Sequence, residues 1–185
     1  MVSDSLYNQD EDRYNLFYVK YKSKPNDSTG WYINYEGRIM RAVSEIKGEG
    51  GFGGPYKDLN YILEPDKDDG PWVGLQGNDS FFPYLVGRIW YGFYGSAQTQ
   101  TEKHPYMPIN LNYPKWNLTL ARAEKLSGPW EKLSKDGPVK FHKNFAENPI
   151  ITKTDSGVYF AMVDGGIINF GYSISIDGLN WSKAK

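Results

Sequence analysis

The chain contains no cysteine and only two histidines, His104 and His142. Without cysteine there is no disulfide framework, no thiolate metal site and no cysteine nucleophile. The two histidines stand far from any patterned acid, too few for a zinc site, so no metal and no cofactor is expected. Charge of one sign is also lacking: 21 Lys+Arg face 22 Asp+Glu over 185 residues, a formal net charge of -1. That balance argues against nucleic acid as a partner. No run approaches the ~18 consecutive apolar residues of a membrane helix, and no segment shows a basic amphipathic face. Met1 to Asp12 carries acids and no apolar stretch, so it reads as neither signal nor transit peptide; a soluble protein with no membrane partner is expected. Nor is there a phosphate-binding glycine loop, because Gly48 to Gly54 is followed by neither Lys-Ser/Thr nor a helical pattern.

What the chain has instead is aromatic residues at 16%, with 20 glycines and 11 prolines spread through it. Rings and β-branched residues suit strands, and frequent Gly and Pro suit tight turns, so an all-β fold is expected. The length favours a single domain over residues 1–185.

A repeat sharpens this expectation. Asn15-Leu16-Phe17-Tyr18-Val19-Lys20-Tyr21 returns as Arg88-Ile89-Trp90-Tyr91-Gly92-Phe93-Tyr94 and as Gly157-Val158-Tyr159-Phe160-Ala161-Met162-Val163, with starts 73 and 69 residues apart. Each reads as a central strand. Before each lies a short strand opening with an acid: Asp4-Ser5-Leu6-Tyr7, Asp79-Ser80-Phe81-Phe82-Pro83-Tyr84, and Glu147-Asn148-Pro149-Ile150-Ile151. After each comes a strand with alternating small residues, at 40–44, 120–123 and 172–175, then a turn and an edge strand: Gly54-Pro55-Tyr56, Gly128-Pro129-Trp130 and Asp177-Gly178-Leu179-Asn180-Trp181.

A four-stranded antiparallel meander repeated in this way is the blade of a β-propeller, with blades expected at about 1–65, 70–136 and 140–185. Three blades do not close a ring, since propellers take about four to eight. The chain is therefore read as an incomplete propeller whose open blade faces are apolar and favour self-association. Two irregular stretches stand out. Ser96 to Lys115 is placed to lie over one mouth of the channel, and Lys47 to Gly54, with five glycines in eight residues, reads as a flexible connector.

The three acids recur at one topological place, 75 and 68 residues apart. Blades radiating about one axis bring Asp4, Asp79 and Glu147 to one end of the channel. A lone acid at a strand end commonly just bonds its own turn; recurrence is what favours chemistry. Carboxylates sharing a cleft repel, so one is held protonated, and a paired acid and carboxylate is what glycoside hydrolysis requires.

These motifs resemble those of the five-bladed β-propeller glycoside hydrolases, the arabinanases and xylosidases of families 43 and 62 and the invertase-like fructosidases of families 32 and 68. Leu126-Ser127-Gly128-Pro129-Trp130 and Ser175-Ile176-Asp177-Gly178-Leu179-Asn180-Trp181 are similar to blade-closing motifs of these enzymes. The resemblance implies Asp4 as base or nucleophile, Asp79 as the auxiliary that tunes the acid, and Glu147 as proton donor, acting on a furanoside- or xyloside-type oligo- or polysaccharide. The match departs from the family at Asp79, where no proline follows, and at Glu147-Asn148-Pro149, which only approximates Glu-Gly-Pro. Sugar rings stack on flat apolar faces, and Trp72, with Phe141 and Phe145 before Glu147, is the candidate platform. The rival expectations are a non-catalytic carbohydrate-binding propeller and a scaffold for protein partners. Asn26-Asp27-Ser28, Asn78-Asp79-Ser80 and Asn117-Leu118-Thr119 match the glycosylation sequon, a frequent chance pattern.

Overall fold

Alternation of rings with small or polar residues gives each segment two usable faces, and the chain pairs such segments in the order in which they occur. The computed structural model describes residues 2–25, 32–66, 69, 72–74, 76–97, 116–133, 137–139, 147–165 and 169–185, with residues 2–5, 23–25 and 32–35 described by their backbone alone. The first sheet is β1 (Val2–Asn8), β2 (Arg13–Pro25), β3 (Tyr32–Ser44) and β4 (Tyr56–Leu63). The second is β5 (Asp79–Val86), β6 (Ile89–Ala97), β7 (Trp116–Ala123) and β8 (Glu131–Lys132). The third is β9 (Glu147–Lys153), β10 (Tyr159–Asp164) and β11 (Phe170–Ser175). All neighbouring strands are antiparallel and in chain order. The fold is all-β, three blades of a β-propeller. No helix among the described residues is long and apolar enough to cross a membrane.

The third sheet departs from the expected fourth strand. Residues 177–181 form a turn, and the edge position is filled by 182–185: the Ser182 N–H donates to the Ile174 carbonyl at 2.9 Å, and Tyr172 and Lys185 exchange backbone bonds at 3.0 Å each way. The glycine-rich stretch after β3 also differs from a flexible connector. It folds into a 3-10 turn at Glu49–Gly51, with the Gly48 N–H donating to the Asp12 carbonyl at 3.0 Å. Gly51 is buried there, and a Cβ on it would lie 2.2 Å from the Ile46 carbonyl oxygen. Of the Ser96 to Lys115 stretch, residues 98–115 lie outside the described residues.

Packing between sheets follows the period of two in β6. Phe93 turns to the third sheet, joining Tyr84, Leu118, Leu120, Ile151, Tyr159, Ala161 and Val163. Its neighbour Tyr94 turns to the first sheet, joining Phe17, Ile39, Leu63, Trp72, Phe81, Ala121 and Leu126. Trp72, expected from the sequence as a stacking face for sugar, has no exposed surface at all and is a core residue 6.4 Å from the Tyr94 ring. Phe81 sits between Phe17 at 5.1 Å and Trp130 at 5.0 Å, and its ring crosses Gly92 so closely that a Cβ there would be 2.3 Å from it.

Polar ties reinforce each junction. Tyr84 donates to the Gly178 carbonyl at 2.8 Å and Tyr159 donates to the Leu85 carbonyl at 3.0 Å, so the second and third sheets each satisfy a backbone acceptor of the other. Trp181, carried on the Asp177-Gly178 turn, packs edge-on against Tyr84 and Phe93 at 6.2 and 5.6 Å. That turn is held by Asp177, which accepts from the Asn180 side-chain amide at 2.7 Å, from the Asn180 and Leu179 N–H groups and from Ser175. Those donors, the Asn180 amide first, hold the Asp177 carboxyl well below the usual carboxylate range. Lys132 on β8 donates to both Asp69 oxygens at 2.9 and 2.8 Å and to the Glu64 carbonyl, tying the exit of the first sheet to the second. Buried Arg41 is paired rather than stranded: it donates to Glu11 at 2.6 and 2.5 Å and to Asn15 at 2.6 Å.

The outward face of the third sheet is apolar. Ile150, Met162, Tyr172 and Ile174 are all exposed on it, and Phe160 stacks on Tyr172 at 5.4 Å.

Trp72→Ala removes a wholly buried indole and is expected to cost about 3–5 kcal/mol of stability, the range for large-to-small changes in a core. A urea titration decides: a loss under about 1 kcal/mol would mean that Trp72 is not packed as described.

Candidate functional site

Each inner strand carries an irregularity in its backbone pairing near its start. The β1–β2 register shifts between Ser3 and Ser5, β5–β6 shifts between Asp79 and Phe82, and β9–β10 shifts between Met162 and Asp164. Bulges of this kind end regular pairing and turn side chains out of the ladder. Two of them share a further device: Ser80 and Asn148, the residues after Asp79 and Glu147, both have positive φ, 54° and 48°. Left-handed backbone at a non-glycine residue is uncommon, though Asn tolerates it better than most, and its recurrence after both acids is a feature of the site.

Asp79 is 2% exposed. Its Oδ1 accepts from the Ser80 N–H at 2.6 Å and its Oδ2 from Gln76 Nε2 at 3.1 Å. Gln76 Nε2 also donates to the Tyr21 hydroxyl at 3.1 Å. Tyr21 comes from the first sheet, where the β2–β3 register breaks between Lys20 and Lys22. It is seated by Gly37: a Cβ there would lie 2.7 Å from the Tyr21 ring and 2.5 Å from the Asn78 carbonyl oxygen. Gly37 and Gly77 form a parallel bridge, with the Gly37 N–H donating to the Gln76 carbonyl at 2.7 Å and the Asn78 N–H donating to the Gly37 carbonyl at 2.9 Å. This contact works only because both residues lack a side chain. Burial, and next the charge of Asp79, pushes the Tyr21 phenol well above its ordinary range, so it stays a neutral hydroxyl.

Glu147 opens β9, which packs against β5. Burial, reinforced by the charges of Asp79 and Asp164, pushes its carboxyl up to about 7. Asp164, at the end of β10, is its register partner. Asn148 joins the two halves: its Nδ2 donates to Asp164 Oδ2 at 2.8 Å, and its Oδ1 accepts from the Ser80 hydroxyl at 2.8 Å.

Of the residues expected from the sequence, Asp79 and Glu147 are therefore brought within electrostatic reach of each other. Asp4 lies at the bulge of β1, a strand that packs against β5; its side chain, like Phe141 and Phe145, lies outside the described residues. Asn78 and Asn117 are buried, which closes both sequons to glycan attachment, and Asn26 lies outside the described residues. The sequence reading missed Tyr21, Gln76, Asn148 and Asp164. An acid just after the apolar strand residue Val163 was a signal for Asp164; for Gln76 there was none. Among the described residues no group of three or more acids or histidines is placed to hold a metal ion. Chemically, the arrangement offers one protonated carboxyl near neutrality beside buried acceptor oxygens and a phenol.

No family model matches the chain, and no curated protein sequence does. Solved structures do match. A family 43 β-xylosidase/α-arabinofuranosidase from a compost microbial metagenome, in complex with xylotriose, aligns at 15% identity with a TM-score of 0.57, covering 86% of this chain and 40% of its own. A family 117 glycoside hydrolase from the marine bacterium Zobellia galactanivorans aligns over all of this chain and 54% of its own, at 16% identity and a TM-score of 0.64. A Penicillium chrysogenum α-L-arabinanase complexed with arabinobiose aligns at 15% identity and a TM-score of 0.55, covering 94% and 44%. The fold is thus the one found in glycoside hydrolases, and the chain spans about half the length of these structures.

The raised Glu147 carboxyl has a signed consequence for stability. The folded state keeps a proton between about 4.5 and 7 that the unfolded chain has lost, so the contribution of this group falls as pH rises through that window and levels off above it. Glu147→Gln removes the slope. Relative to the parent, the variant is expected to be unchanged in urea midpoint below about pH 4.5 and to gain steadily up to about 7; a difference that does not change with pH would show that Glu147 titrates normally.

Proposed function

We propose that the chain carries part of the active site of a glycoside hydrolase, with Glu147 as general acid, Asp79 as the neighbouring carboxylate that tunes it, and Asp4 as base or nucleophile. The substrate class is a furanoside- or xyloside-type glycan. What carries this reading is the half-buried Glu147 at the head of β9, set within reach of the buried, hydrogen-bonded Asp79, an arrangement that pushes its carboxyl up to about 7. An acid with that property holds its proton at neutral pH yet releases it to a leaving-group oxygen, and a second carboxylate across the sugar stabilises or captures the oxocarbenium-like centre. Asp79, held by the Ser80 N–H and Gln76, supplies negative charge where positive charge grows. The sugar-bound complexes of the matched arabinanase and xylosidase support the substrate class for this chain.

Hydrolysis of arabinofuranosides and xylosides by the purified chain tests the proposal. Glu147→Gln is expected to lower kcat/KM on unactivated glycosides by about 10²–10⁴-fold, the usual worth of general acid catalysis. Nitrophenyl glycosides, whose leaving group departs without a proton, should lose far less. A parent protein that binds the oligosaccharides by calorimetry yet turns none over would identify a carbohydrate-binding propeller instead.

A further inference from the structure

Asp164 and Glu147 are register partners at the ends of β10 and β9, next to the register shift between Met162 and Asp164. The charge of Asp164 adds to burial and to Asp79 in raising the Glu147 carboxyl, because a nearby like charge favours a proton on its neighbour. We propose that Ser80, Asn148 and Asp164 form a positioning chain that assigns this proton, keeping Asp164 as the anion and Glu147 as the acid.

The direction of the chain follows from donor and acceptor chemistry. Asn148 touches both sides, and its two ends differ: Nδ2 donates a hydrogen bond to Asp164 Oδ2, whereas Oδ1 accepts one from the Ser80 hydroxyl. A donor aimed at a carboxylate favours its ionised form. Rotating the amide by half a turn would set Oδ1 against Asp164, and a carboxylate, which only accepts, has no proton to give it; the Asp164 anion therefore holds Nδ2 toward itself, and the Ser80 hydroxyl, able to donate or accept, completes the chain by donating to Oδ1. The positive φ of Ser80 and Asn148 aims both side chains across the junction between the second and third sheets. Ser80 also donates its N–H to Asp79, so one residue holds the carboxylate of the second blade and steers the pair in the third. The groups facing Glu147 are Asp79 from β5, Asp164 from β10 and the Tyr21 phenol from β2. Both acids that act on it favour the protonated form.

The catalytic meaning of this chain rests on the reading of Glu147 as the general acid, but the proton assignment is a property of the protein alone. The test is carboxyl-carbon NMR of the labelled 185-residue chain, with the Glu147 signal identified by its loss in Glu147→Gln. Asp164→Asn is expected to lower the Glu147 midpoint from near 7 by about one unit, the effect of removing a close like charge. Asn148→Gly keeps the positive φ and deletes the amide, and is expected to lower it in the same direction. Near-UV circular dichroism shows whether each variant is folded; if Asp164→Asn is not, Asn148→Gly decides. An unchanged midpoint in the folded variants overturns the proposal, whatever the activity. Shifted midpoints in a parent that hydrolyses no glycoside leave the positioning chain standing and overturn the glycosidase reading.

Discussion

The second sheet is packed on both faces, with Phe93 turned to the third sheet and its neighbour Tyr94 to the first, and this double burial fixes how close the starts of β5 and β9 come. A strand has only two faces, so a sheet with aromatic side chains on both must be sandwiched. The rings then set the spacing: Phe17 on Phe81 at 5.1 Å on one side, Tyr84 on Tyr159 at 6.1 Å on the other. Aromatic pairs at these distances contribute roughly 0.5–1.5 kcal/mol each beyond the area they bury. Their larger effect is geometric, since close-packed rings leave little freedom to slide one blade past another.

That rigidity is what makes the site electrostatics costly and useful. Carboxyls in water would separate or ionise. Here Asp79 is locked by the Ser80 N–H and Gln76, and Asp164 by Asn148, so neither can turn away from Glu147. Burial and two fixed neighbours then leave protonation as the cheapest response, and the Glu147 carboxyl rises to about 7. The glycine pair 37 and 77 does the equivalent on the other flank, allowing the first sheet to press Tyr21 against Gln76. Backbone contact at that point is possible only without side chains.

Much of this architecture is legible in the chain itself. The three aromatic segments, the acid-led strands before them and the small-residue strands after them all lie in the sheets expected, because period-two alternation and glycine turns act locally. The apolar outward face of the third sheet is likewise written in the alternation of Ile150, Met162, Tyr172 and Ile174. Two readings fail for a shared reason. Trp72 resembles a surface platform and the Lys47 to Gly54 stretch a loose connector, yet the first is sealed among residues of two sheets and the second is built around a buried Gly51. Whether a tryptophan or a glycine is enclosed depends on residues distant in sequence, which local pattern does not report.

By itself, then, the sequence determined the three inner strands of each sheet, their pairing order and the placing of an acid at or near the start of each innermost strand, since propensity, alternation and turn chemistry depend on near neighbours alone. Only the tertiary structure decided which groups surround those acids. Tyr21, Gln76, Asn148 and Asp164 come from places that the chain separates by up to 143 residues, and their meeting depends on bulges, on two positive-φ residues and on a glycine bridge between sheets. The proton on Glu147 belongs to that second category. A carboxyl's affinity for a proton is set by burial and by charges within a few ångströms, and both are properties of the packed blades rather than of the residues beside it in the chain.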